Sequence, residues 1–301
     1  MVALLVSAVL AGLLMLTLWF TTLALIVTLL LHYGLALPPT LALTMAANLL
    51  ALCSPLNPTG TVFSKEDLEQ ICDLVLAENK KREVTGAKPL YVMYDQIYWP
   101  LTHGSIEHYN PVSLRPEMRE YTLFVDGISK SLAATGVRVG WTMGPKFIIN
   151  KIKSILTHVG AWAPKAEQVA TAKYLNELGQ YDQYLNHIKS EINARLVGFY
   201  TGIQSLKSAG HRVDAIAPEA AIYLTVQLAL HGLKTETGTV LESTQDVTKY
   251  ILDEAKVAIV PFYAFGASND SSWYRLSVGT CKLVDVDGVI SNLRTALEKL
   301  S

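Results

Sequence analysis

Gly127-Ile128-Ser129-Lys130-Ser131-Leu132-Ala133-Ala134-Thr135-Gly136-Val137-Arg138-Val139-Gly140-Trp141 places one amine among small residues and sets a fixed cation eight positions after it. A lysine that forms an imine needs a tight, partly desolvated pocket so that enough of it is neutral. A ligand that carries a phosphate needs an arginine within reach, because a planar guanidinium takes phosphate oxygens in bidentate fashion. Taken alone, the pair reads more readily as a surface lysine and a structural arginine. Three further stretches reverse that preference.

The first follows the apolar run Leu49-Leu50-Ala51-Leu52-Cys53 and reads Ser54-Pro55-Leu56-Asn57-Pro58-Thr59-Gly60. It predicts a buried strand ending in a turn, where open α/β sheets put their ligand contacts. Asn57 can donate its amide to a ring oxygen, Pro58 and Gly60 fix the turn, and Ser64 with Asp67 marks a helix start. N-P and T-G are also ordinary turn dipeptides. The second stretch, Pro89-Leu90-Tyr91-Val92-Met93-Tyr94-Asp95-Gln96-Ile97-Tyr98, runs an apolar strand into an acid and then a tyrosine. An aspartate at a strand's end can hold a pyridine nitrogen protonated, and Tyr98 can hydrogen-bond a phenolic oxygen of the same ring. The third, Trp273-Tyr274-Arg275-Leu276-Ser277-Val278-Gly279, sets Arg275 among apolar neighbours, as half of a buried ion pair or as a carboxylate receptor.

In this order the stretches resemble the class I/II aminotransferases, fold-type I enzymes dependent on pyridoxal 5'-phosphate: N-P-T-G, D-x-x-Y, S-K-x-x-x-x-x-G-x-R and a late R-x-S-x-G. Pro218-Glu219-Ala220-Ala221-Ile222-Tyr223-Leu224 is similar to the family's P-x-G-x-F-Y strand with Ala in place of Gly. Val260-Pro261-Phe262-Tyr263-Ala264-Phe265-Gly266 is similar to its V-P-G-x-x-F-G loop with Phe262 in place of Gly. The resemblance spans residues 48–301. It implies the α/β PLP-dependent transferase fold, a mostly parallel sheet flanked by helices with a smaller C-terminal α/β domain. Residues 48–190 would form a partial cofactor-binding large domain and 191–301 the small domain.

The same resemblance implies that Lys130 is the Schiff-base lysine and proton carrier, that Asp95 pairs with the pyridinium nitrogen, and that Asn57 and Tyr98 bind the ring oxygen. Arg138 would take the phosphate with Ser129 assisting, and Arg275 the substrate α-carboxylate. Such families often place the helping hydroxyl three positions before the lysine, where this chain has Gly127. The implied reaction moves an amino group between an α-amino acid and a 2-oxo acid. β-Lyase or synthase chemistry of the same family, or an inactive truncated remnant, are the alternatives. A homodimer is implied as well.

Composition narrows the rest. A net charge of −1 gives no reason to expect nucleic acid as a partner. Cys53, Cys72 and Cys281 form no C-x-x-C, and the seven histidines form no H-x-x-x-H pair, which argues against a disulfide framework and a metal site and for a reducing, cytoplasmic setting. His103 and His108, in a polar loop, read as solvated. None of the 25 Lys and Arg or 26 Asp and Glu precedes Lys65. Residues 2–31 would make an apolar helix of roughly 45 Å, longer than the ~30 Å core of a bilayer, yet no Lys or Arg flanks them to set an orientation.

Residues 1–47 therefore stand apart from the family pattern. One reading is a membrane anchor through residues 2–31 on a truncated enzyme. The other is a misread 5′ region with the native frame resuming near Asn48; apart from Gly12, Trp19, His32, Tyr33 and Gly34, this stretch fits codons with T or C in the middle position. No Gly-rich helix start that could cradle a phosphate precedes Asn57. Downstream, the spacing predicts helices over 65–79, 145–159, 165–206 (interrupted at Gly179) and 284–300, and strands over 121–125, 137–143 and within 211–228 and 258–280.

Overall fold

In the computed structural model, which describes residues 47–301, the apolar run after Asn48 forms strand β1 (Leu49–Cys53). It opens the first of two units, made, among the described residues, of 47–54 with Phe63–Ile97 and His108–Thr171. Ser64 caps helix α1 (Lys65–Thr85), its side chain accepting from the Asp67 N–H at 3.1 Å. The helix runs past the expected Asn79 because its last turn is needed: Arg82, buried, donates to Asn48 Oδ1, Ala47 O and Lys88 O at 2.9–3.1 Å and pairs with Glu78. Gly86, at φ 71, then ends it.

Strands β2 (Tyr91–Asp95) and β3 (Thr122–Gly127) lie parallel to β1, while β4 (Gly140–Met143) is antiparallel, in the order β1-β2-β3-β4. Between β2 and β3 lies the one-turn helix α2 (Pro111–Leu114). Leu68, Ile71, Cys72 and Val75 of α1 pack on Leu50, Leu52, Val92 and Tyr94 of the strands, each apolar side chain contributing about 1.5–3 kcal/mol by leaving water. After β4, helix α3 (Lys146–Val159) buries none of its residues.

The region expected as one helix from Lys165 is two, α4 (Lys165–Leu175) and α5 (Leu178–Ser208). They part at Asn176–Glu177, ahead of the expected Gly179, which lies in the first turn of α5. The second unit (Pro55–Val62, Tyr98–Glu107 and Ala172–Ser301) holds an antiparallel sheet in the order β5 (Val213–Ala215), β6 (Tyr223–Leu228), β8 (Trp273–Ser277), β7 (Val260–Pro261). Helix α6 (Thr244–Tyr250) carries a full capping box at Ser243, and α7 (Val286–Glu298) closes the chain.

Ile192, Leu196, Phe199, Ile203 and Leu206 of α5 are buried at alternating spacings of four and three, the signature of a helix facing a core. Gly198 and Gly202 admit α7: a Cβ on Gly202 would lie 2.5 Å from Ile290 Cγ1, and one on Gly198 3.1 Å from Val286 Cγ1. The apolar segment expected as a helix over residues 1–47, with its span at 2–31, lies outside the described residues except for Ala47. Among the described residues no helix is long and apolar enough to cross a membrane.

Candidate active site

In the first unit, the parallel register aligns Cys53, Asp95 and Val125 across the C-terminal ends of β1, β2 and β3. Open parallel sheets present their ligand loops at these ends. Asp95 is half-buried, and its Oδ1 accepts the Ile97 N–H at 3.0 Å. Burial pushes its carboxyl above the usual carboxylate range, and the Ile97 N–H only partly opposes that shift.

Lys130 follows β3 by three residues, in the loop that joins β3 to β4. Gly127 faces Gly140 at the neck of this loop. A Cβ on Gly127 would lie 2.9 Å from both Gly140 Cα and Val139 O, so the position where families place a helping hydroxyl accepts no side chain unless the neck moves. The buried Asp126 braces the same neck, its Oδ1 accepting the Gly127 N–H at 2.7 Å. Ser129 and Lys130 are half-buried in consecutive turns, with the Ala133 N–H donating to Lys130 O at 3.1 Å. Arg138 is exposed at φ 62, and its Nη1 donates to Thr135 O at 2.9 Å. That left-handed backbone, uncommon for a non-glycine residue, interrupts the strand expected from Val137 and delays β4 to Gly140.

In the second unit, segment 219–223 gathers the other expected residues. The Ala220 N–H donates to Gly60 O at 2.8 Å, Thr225 Oγ1 to Thr59 O at 2.9 Å, and the Val62 N–H to Glu219 Oε2 at 3.0 Å. Gly60, at φ 74, leaves no room for a side chain, since a Cβ there would lie 2.4 Å from Tyr223 O. The Asn57–Pro58 peptide within this turn is cis. On the other side of segment 219–223, the Ala221 N–H donates to Leu101 O at 2.8 Å and the His103 N–H to Glu219 O at 2.9 Å.

These bonds bring Asn57, Tyr98 and Arg275 together. Arg275 stands opposite Thr225 in the β6–β8 ladder, so Tyr223 is its diagonal neighbour on the same face. Its Nη1 donates to Asn57 Oδ1 at 2.7 Å; arginine only donates, which fixes the amide oxygen toward it and leaves the amide nitrogen as a donor. The guanidinium lies between two rings, 4.6 Å from the Tyr223 centroid and 4.8 Å from that of Phe265. Among the described residues nothing meets its buried Nε. Tyr98, buried, shares a 2.5 Å hydrogen bond with the Tyr223 hydroxyl. Among the described residues Arg275 is thus a cation with a vacant donor, not half of an ion pair.

In the sequence Tyr223 and Phe265 stand out only as parts of a strand and a loop. The signal for Tyr223 is an aromatic in phase with Arg275, visible only once strands are paired, while Phe265 reaches the guanidinium from the 3-10 turn after β7. Two histidines also depart from expectation. His103 is 4% exposed, with Nε2 at 2.9 Å from Ala221 O; burial lowers its pKa. His108 lies against Tyr94 with ring centroids 6.0 Å apart, and burial lowers its pKa to about 4. Neither is solvated, because segments distant in sequence cover the polar loop.

The first unit's set holds an amine, a half-buried acid and an exposed guanidinium group, and the second unit's set an amide, a buried hydroxyl and a guanidinium group. Comparison with known proteins gives a consistent picture. The model of the family described as aminotransferase class I and II matches residues 41–293. The bifunctional aspartate aminotransferase and glutamate/aspartate-prephenate aminotransferase of Petunia hybrida is 30% identical over 263 residues, 86% of this chain and 49% of its own length. A probable aspartate/prephenate aminotransferase of Rickettsia bellii is 29% identical, over 79% of this chain and 55% of its own. The crystal structure of the aspartate aminotransferase from Rhizobium meliloti superposes with a TM-score of 0.74 at 25% identity, covering 84% of this chain and 59% of that one. The chain spans about half the length of the relatives it matches.

Proposed function

The chain belongs to the aminotransferase class I and II family, and on that premise we propose that it transfers an amino group between an α-amino acid and a 2-oxo acid with pyridoxal 5'-phosphate. The observation that carries the reading is Asp95, a half-buried carboxylate at the end of β2 whose pKa is raised by burial. Such a group gains by meeting a protonated ring nitrogen and is costly without one. The bound cofactor would supply an electron sink for the substrate's α-carbon. The chain's residues would supply orientation and charge.

Lys130 would hold and move the proton at its Nζ. Asp95 would keep the ring nitrogen protonated, while Asn57 Nδ2 and the Tyr98 hydroxyl orient the ring oxygen. Arg138 would take the phosphate, with Ser129 beside Lys130 assisting. Arg275, with Nη1 on Asn57 and a vacant Nε, would take the α-carboxylate. The family division into a partial large domain over 48–190 and a small domain over 191–301 belongs to the same proposal.

The relatives' names all describe amino-group transfer, which favours that reaction over β-lyase or synthase chemistry. The presence of all seven expected side chains weighs against an inactive remnant. We also propose a cytoplasmic homodimer. The exposed Phe147, Ile155 and Val159, spaced by eight and four residues along one side of α3, support the second copy, since apolar side chains left uncovered together suit an interface.

The test is a titration of the purified chain with pyridoxal phosphate, following the visible absorbance and its loss on borohydride. The band is expected in the wild type and absent in Lys130→Ala. A band of equal size in both proteins would refute Lys130 as the attachment point.

A further inference from the structure

Tyr223 touches both Tyr98 and Arg275 of the second unit's set and abuts the turn that carries the third member, Asn57. Its hydroxyl meets that of Tyr98 at 2.5 Å, and the two rings stand edge to face with centroids 5.5 Å apart. Its ring face lies 4.6 Å from the guanidinium carbon of Arg275. Its backbone carbonyl abuts Gly60, which closes the turn that presents Asn57. Tyr98 and Tyr223 are 2% and 5% exposed, so neither hydroxyl has bulk water as an alternative partner.

We propose that Tyr223 is a positioning residue that couples the carboxylate receptor to the hydroxyl that meets the cofactor ring. Its ring face seats Arg275 while its O–H donates to Tyr98. This rests on the reading given under Proposed function. A hydroxyl that accepts from one neighbour can donate its own proton to another, and each bond in such a chain strengthens the next. Tyr98 would then present its proton outward. A guanidinium over an aromatic face is held electrostatically, which leaves Nε and the outer Nη to receive a carboxylate side-on. Phe265 supplies the second ring at 4.8 Å but has no hydroxyl, so only Tyr223 joins the two functions.

Two substitutions separate them. Tyr223→Phe keeps the face and removes the hydroxyl; Tyr223→Leu removes both, with Tyr223→Met taking its place if that variant does not fold. Succinate binding to the apoprotein, read by calorimetry with Arg275→Ala as control, reports the seat. Tyr223→Phe is expected to bind within twofold of wild type and Tyr223→Leu about 5- to 30-fold more weakly, the range that cation–π energies give.

The pH midpoint of the visible band of the pyridoxal phosphate-loaded protein reports the hydroxyl. Tyr223→Phe is expected to raise it, and the Tyr98→Phe/Tyr223→Phe double variant to match Tyr98→Phe alone. Equal succinate affinity in all forms, no Arg275-dependent succinate binding by the wild type, or an unmoved midpoint in Tyr223→Phe would each overturn the coupling. If the wild type gives no Lys130-dependent band, the proposed function fails. The succinate series then decides the seat alone: weakening in Tyr223→Leu supports it, and no weakening overturns it.

Discussion

Asp95 is the residue whose chemistry and stability pull in opposite directions. Its folded pKa lies above the ordinary carboxylate value because burial disfavours the charge. The folded state therefore holds the proton more tightly than the unfolded chain, and stability falls as pH rises from the unfolded pKa through the raised one. Asp95→Asn should raise the melting temperature of the apoprotein at pH 7, with the gain shrinking toward pH 4, and should weaken binding of pyridoxal phosphate, so that less of the cofactor's stabilisation is seen. Thermal melts across pH, with and without cofactor, check both halves; an apoprotein that loses stability at pH 7 would contradict the assignment. Lys130, Asp95 and Arg275 could be nominated from sequence because few side chains can do the proposed chemistry. Gly127 was legible only as a departure from pattern; its cause, a backbone neck with no space for a Cβ, is a contact with residues twelve and thirteen positions on.

At the scale of elements, patterning found strands and helices but not where they stop. Helix α1 outruns its apolar stripe because Arg82 has work at the strand entrance. Strand β4 starts late because Arg138 takes a left-handed backbone. The notch formed by Gly198 and Gly202 was invisible, since its partners on α7 lie about ninety residues away. It yields a paired prediction. Gly→Ala in a helix interior ordinarily gains about 1 kcal/mol, and Gly179, in the first turn of α5 with nothing within 4 Å of its Cβ position, should show a fraction of that gain. Gly202→Ala instead drives a methyl into Ile290, and overpacking of about 1–3 kcal/mol outweighs the propensity term. Urea denaturation of both variants should move the midpoint in opposite directions.

At the scale of the whole molecule, each unit carries a histidine, buried His103 in one and half-buried His108 in the other, whose pKa is lowered by desolvation. A depressed folded pKa means that the neutral ring supports the fold above its unfolded value of about 6.5 and that this support is lost as pH falls. For His108 the loss runs from about 6.5 down to about 4. His108→Phe should flatten the decline in melting temperature over that interval; an unchanged slope would show that the ring titrates freely.

Helix α5 is, in mechanical terms, an indexed lever. Its 31 residues extend over roughly 45 Å. Its buried grip starts at Ile192, and residues 179–191 include none that is buried. The two glycines act as a detent. A slip of α5 by one residue would bring a side chain into the gap that Ile290 fills, so the helix seats against α7 in one register. A small error at the detent would be magnified toward the helix's first turn, which makes two missing side chains the setting for everything the long arm carries.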